Sequence, residues 1–208
     1  MAEKQSKLMY LPWSLTVTMA VLAIVVWGVS VQWHLSGLSL YQVFPVLGLL
    51  AFSIMWSHYV WGFLRKQFFN DLQVPHFFAW TSYVVLAAIL LHPGLLAYQR
   101  FRDGFGLPPG SETSYVAHSM AWVVILGIIS LFCFLAFEFH RWFSHKKWWF
   151  IVPRINDVAM VAIFYHGLRL GTQTHIGWYR PIWWFYGVTL VGILTYNAFK
   201  ALRRRATP

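Results

Sequence analysis

Six apolar runs separated by short polar breaks organise the chain: Leu11–Trp33, Val43–Leu64, Phe77–Tyr98, Tyr115–Phe139, Ile155–Thr172 and Ile182–Phe199. Each is near the ~20 residues that carry a helix across a ~30 Å hydrocarbon core. None shows the alternating apolar and polar pattern of a barrel strand, and in lipid a helix satisfies its own backbone. The pattern predicts an all-α fold, a six-helix transmembrane bundle. No internal repeat, low-complexity tract or long linker interrupts it, so residues 1–208 are expected to form one integral membrane domain.

Composition agrees, since 59% of the 208 residues are hydrophobic and 11% charged, well outside the balance of a soluble domain. The first run follows Lys4 and Lys7 as a signal peptide would, but its length and the lack of a small-residue cleavage site favour a retained helix. Cys133 is the single cysteine, which removes intrachain disulfides and cysteine-based metal sites.

Charge gives orientation. Lys4, Lys7, Arg65, Lys66, Arg141, Lys146, Lys147, Arg154, Lys200, Arg203, Arg204 and Arg205 fall on one side of the predicted spans; Arg100, Arg102, Arg169 and Arg180 fall opposite. Such an asymmetry places both termini in the cytoplasm of a bacterial inner or plasma membrane. The net charge of +10 then reads as topology and contact with anionic headgroups, and nucleic acid is not an expected partner. Trp142, Trp148 and Trp149 inside, and Trp178, Tyr179, Trp183 and Trp184 outside, read as interfacial belts.

Two histidines lie deep in apolar runs. At ~1.5 Å per residue, His92, eight positions before Arg100, is ~12 Å below the outer surface. His166, twelve positions after Arg154, is ~18 Å from the inner surface and hence ~12 Å from the outer one. Equal depth on the third and fifth helices is what bis-histidine ligation of one haem b iron requires, with neutral imidazole favoured in a low dielectric. Arg169, three residues after His166 and one turn nearer the outside, is a candidate propionate partner; Arg100 and Arg102 are further candidates.

The chain resembles the ferric reductase-like transmembrane domain family. The resemblance lies in Leu47-Gly48-Leu49-Leu50-Ala51-Phe52, Leu90-Leu91-His92-Pro93 and Phe164-Tyr165-His166, and spans the second to sixth helices. It implies haem b bound through histidines of the third and fifth helices and electron transfer across the membrane to metal ions or other acceptors. Two-haem members carry a second histidine about thirteen or fourteen residues before each outer one; here the fifth helix has Val152, Pro153 and Arg154, and His76 stands sixteen before His92, beside Pro75. The pattern matches single-haem members better.

A lone outer haem leaves a gap to the cytoplasm. His58, seven residues before Arg65, and His76 are candidates to hold a flavin, a quinone headgroup or an irregular second haem there. His118, with His34 and His175, could form a loose outer metal rim, although no two share a tight ligand spacing. His140 and His145 read as headgroup contacts. Gly104, Gly106 and Gly110, among Pro108 and Pro109, form a turn rather than a phosphate cradle. Electrons would therefore come from a separate flavoprotein or a membrane quinol. The carboxylates lie near helix ends, with Asn156 a possible cap beside Asp157, which disfavours proton-coupled transport; the residues of membrane serine and metalloproteases are also missing. The competing expectation is a haem-free transporter or assembly factor with structural or metal-binding histidines.

Overall fold

The computed structural model describes residues 8–69, 72, 74, 76–143 and 151–206; side chains of 140–143 and 204–206 lie outside the description. The expectations placed on Lys4, Lys7, Pro75, His145, Lys146, Lys147, Trp148 and Trp149, and on the side chains of His140, Arg141, Trp142, Arg204 and Arg205, fall outside it.

The chain is all-α. Its helices are α1 (Leu11–Ser30), α2 (Leu40–Phe68), α3 (Phe77–Arg102), the short α4 (Gly110–Thr113), α5 (Ala121–Phe143), α6 (Val152–Leu170) and α7 (Arg180–Ala206), with 3-10 turns at His118–Met120 and Thr172–His175. They outrun the apolar segments because polar residues continue a helix beyond the hydrocarbon. At the start of α2, Gln42 Oε1 accepts from the Ser39 backbone N–H and hydroxyl, both at 3.0 Å, satisfying an orphan donor of the first turn. Helix α6 begins at Val152, three residues before its apolar run, because Pro153 sits in the first turn, where its missing N–H costs nothing. Asn156 is therefore inside the helix and is not its cap; its amide donates to the Tyr59 hydroxyl at 3.1 Å.

Among the described residues, five helical segments are long and apolar enough to cross a membrane: Leu11–Ser30, Leu40–Phe68, Phe77–Arg102, His118–Phe139 and Arg180–Arg203. Large apolar side chains such as Val17, Val84, Phe132 and Val188 face outward, an arrangement that water would not tolerate but lipid favours. The molecule is a multi-pass integral membrane protein. Helix α6 is not one of the five, and Arg154, Asp157 and Arg169 interrupt its apolar sequence.

The most extensive pairings are α2 with α3 and α5 with α6, so the bundle is built on two helical hairpins. Helix α1 lies on α2, α7 touches both α2 and α6, and α3 meets α5 over little of its length. One side of the seam between the hairpins is thus closed by α7, while the other is sparsely bridged. Lipid removes the hydrophobic drive for helices to associate, leaving close packing and buried hydrogen bonds, worth about 0.6 kcal/mol each on average. Both are present. Phe52 packs on Trp183 with ring centroids 4.6 Å apart, and Trp56 on Tyr186 at 4.8 Å. Thr16 and Ser57 share a hydroxyl hydrogen bond of 2.7 Å between α1 and α2, and the Trp56 indole donates to Thr189 Oγ1 of α7 at 2.9 Å.

Candidate functional site: a histidine-lined chamber between the hairpins

The hairpins enclose a chamber of about 380 Å³ whose lining includes both His92 and His166. Each ring is held by the same local device. In the first hairpin, His92 Nδ1 lies 2.8 Å from the Phe44 carbonyl of α2. One turn on, at Gly48, an added Cβ would stand 2.8 Å from His92 Cε1. In the second, His166 Nδ1 lies 2.9 Å from the Val123 carbonyl of α5. Gly127, again four residues on, leaves room for that ring, since a Cβ there would meet His166 Cε1 and Nδ1 at 2.7 Å. Carbonyl, glycine and histidine recur in the same relation although the sequence shows no repeat.

This device fixes the chemistry. A carbonyl oxygen only accepts, so Nδ1 of each neutral ring carries the proton and donates it. Each Nε2 is left with a lone pair, and among the described residues neither Nε2 has a hydrogen-bond partner. Around the pair the chamber is mostly apolar, with Phe52, Leu96, Leu131 and Ile163 in its walls, and Tyr41, Glu112 and Gln173 add polar groups. Pro93, directly after His92, cannot donate to the Ile89 carbonyl and relaxes α3 at this point.

The other expected residues are placed elsewhere. Arg169 is exposed and outside the chamber lining; its guanidinium is 3.7 Å from Met120 Sδ. Arg100 is buried but used locally: it donates to the Ser111 carbonyl at 3.0 Å and Ser114 Oγ at 2.6 Å, and its guanidinium lies 3.4 Å above the Phe105 ring. It pins the α3–α5 connection rather than facing the histidines. Arg102 stacks at 6.0 Å on Tyr98. His58 points to Thr81 Oγ1 at 2.6 Å and lines a separate cleft, whereas His76 is exposed, takes a left-handed φ of 63° before α3, and does not line that cleft. His34, His118 and His175 are exposed.

These placements correct the expected cofactor chemistry. Among the described residues no three His, Cys, Asp or Glu side chains form a group that could hold a metal ion. The haem b centre, the iron-binding and metal-rim expectations, and the electron-transfer function resting on that haem are set aside on this finding. The metal-binding histidines of the competing expectation go with them. The flavin, quinone or second haem expected between His58 and His76 also falls, because the two do not share a site. What the fold does bring together is one histidine pair, each ring anchored through Nδ1.

Glu112, absent from the expected site, belongs to it. It lies in α4 beyond the membrane-spanning helices, is buried, and lines the chamber. Burial pushes its carboxyl up from the ordinary value of 4.5, because the charged form loses solvation. A carboxyl raised on folding binds its proton more tightly in the native state, so it destabilises the fold as pH rises through the two values. Glu112→Gln is expected to raise the thermal midpoint at neutral pH. The advantage should shrink on acidification and vanish below 4.5; a gain independent of pH in a melting series would contradict this.

No protein-family model, curated protein or solved structure matches this chain. The resemblance to the ferric reductase-like family is therefore carried by its three short runs alone.

Proposed function

We propose that the protein spans the membrane six times, with both termini cytoplasmic, and binds a lipid-soluble ligand in the chamber by hydrogen bonds to His92 and His166. The sixth span is α6, which runs along α5 and packs against α7. The orientation is supported by Arg65, Lys66, Lys200 and Arg203 at one end, against Arg100, Arg102 and Arg180 at the other.

The observation that carries the binding function is the commitment of both Nδ1 protons to backbone carbonyls. Two unpartnered Nε2 lone pairs in an apolar chamber select a molecule with proton donors on an otherwise apolar body. A volume of about 380 Å³ falls within the range of small-molecule pockets, ~300–1,000 Å³. A membrane quinol has this chemistry: a ring with two hydroxyl donors, dissolved in the bilayer. The sparse α3–α5 contact offers it a lateral way in. In that role each Nε2 accepts a hydrogen bond from one quinol hydroxyl.

The quinol and its quinone separate this reading from simple hydrophobic uptake, because the quinone presents acceptors to the same lone pairs. Titration of the protein in nanodiscs at neutral pH is expected to show a short-chain quinol binding about tenfold or more tighter than its quinone, since an unpaired buried polar group costs about 1–3 kcal/mol. Equal affinities would overturn the proposal.

A further inference from the structure

A second cavity, independent of the histidine chamber, opens at the end carrying Lys66 and Lys200 and draws its walls from α2, α3, α5, α6 and α7. We propose that it binds the head of an aminophospholipid, a lipid bearing both a phosphate and a primary ammonium. Its chemistry is graded. Met55, Ile89 and Phe134 line it at the apolar floor, and the same three residues line the histidine chamber, so they form the partition between the two cavities. Towards the mouth the lining becomes polar, with Asn156, Asp157, Asn197, Glu138 and the two lysines.

The lysines stand on two clamped helices. Gln67, beside Lys66, accepts a hydrogen bond of 3.1 Å from the hydroxyl of Tyr196, one turn before Lys200. Both lysines line the cavity, and their ammonium groups suit a phosphate. Asp157 takes one hydrogen bond from the Tyr59 hydroxyl, at 2.8 Å on Oδ1, and its carboxylate has further acceptor capacity for an ammonium donor. A mouth with both signs of charge matches a zwitterionic head better than a purely anionic one. A tail is accommodated because the apolar interior borders the sparsely bridged α3–α5 seam, where an acyl chain can pass to the bilayer.

The test is native mass spectrometry of the full chain released from nanodiscs containing equal amounts of phosphatidylethanolamine, phosphatidylcholine and phosphatidylglycerol. One phosphatidylethanolamine per chain is expected, enriched about tenfold over both others, since phosphatidylcholine has no N–H to donate to Asp157 and phosphatidylglycerol has no ammonium. Lys66→Ala/Lys200→Ala should abolish the enrichment, and Asp157→Asn should reduce the preference over phosphatidylglycerol while keeping the thermal midpoint. Equal retention of all three lipids, unchanged retention in the lysine variant, or displacement of the lipid by millimolar inorganic phosphate would each overturn the proposal, the last by assigning the mouth to free phosphate.

Discussion

His92→Phe and His166→Phe are each expected to weaken ligand binding by about 5- to 150-fold, the effect of leaving one buried donor unpaired at a cost of about 1–3 kcal/mol. Phenylalanine keeps an aromatic ring against Gly48 or Gly127 and removes both nitrogens, so lost hydrogen bonding is separated from an emptied cavity. Stability should fall by less, because the Phe44 or Val123 carbonyl loses its side-chain donor while its helix remains. Isothermal titration of each variant beside its melting curve reads both quantities. If the two histidines grip one ligand, the losses should be non-additive in the double variant. Unchanged affinity in both single variants would leave the rings with a packing role only.

Gly48→Ala and Gly127→Ala should act on the same rings from the opposite side. A methyl group 2.7–2.8 Å from an imidazole carbon is closer than real contacts allow, and the ring is tethered to the helix that carries the glycine. It must turn, and in turning it stretches the Nδ1 hydrogen bond. Overpacking of this kind costs about 1–3 kcal/mol, against ~1 kcal/mol regained from helix propensity. A net loss of up to about 2 kcal/mol is expected, together with weakened binding. Gly192→Ala, where no neighbour stands within 4 Å of the added carbon, is the control, neutral or mildly stabilising in the same unfolding assay. Equal behaviour of all three alanine variants would remove the close-approach role of Gly48 and Gly127.

The helices were legible because lipid leaves the backbone few alternatives, and runs near 20 apolar residues mark them. Their ends were not, since Arg102 and Lys200 extend helices into regions where apolar pattern is silent. His92 and His166 could be paired from depth alone, and the structure places them in one chamber. Depth does not say which way a side chain faces, however. Arg169 is three residues from His166 yet turns outward, because that spacing still leaves an angular offset around the helix. Arg100 is consumed by a loop whose fold has no periodic signal. Matched depth also left open what the rings meet, and the haem expectation went further than two aligned histidines support. Gly48 and Gly127 were readable in principle: a glycine inside an apolar helix marks a close approach, although not to which residue. Glu112 was hidden in the loop that brings it back over the bundle.

If the histidine pair holds a proton-donating, lipid-soluble molecule, the protein should carry one out of its own membrane. Solvent extraction of the purified protein, followed by mass spectrometry and an absorption spectrum, is expected to give a hydroxylated aromatic lipid near one per chain, missing from the His92→Phe/His166→Phe variant. An extract free of such a molecule, or a coloured protein whose Soret band disappears in that variant, would contradict it.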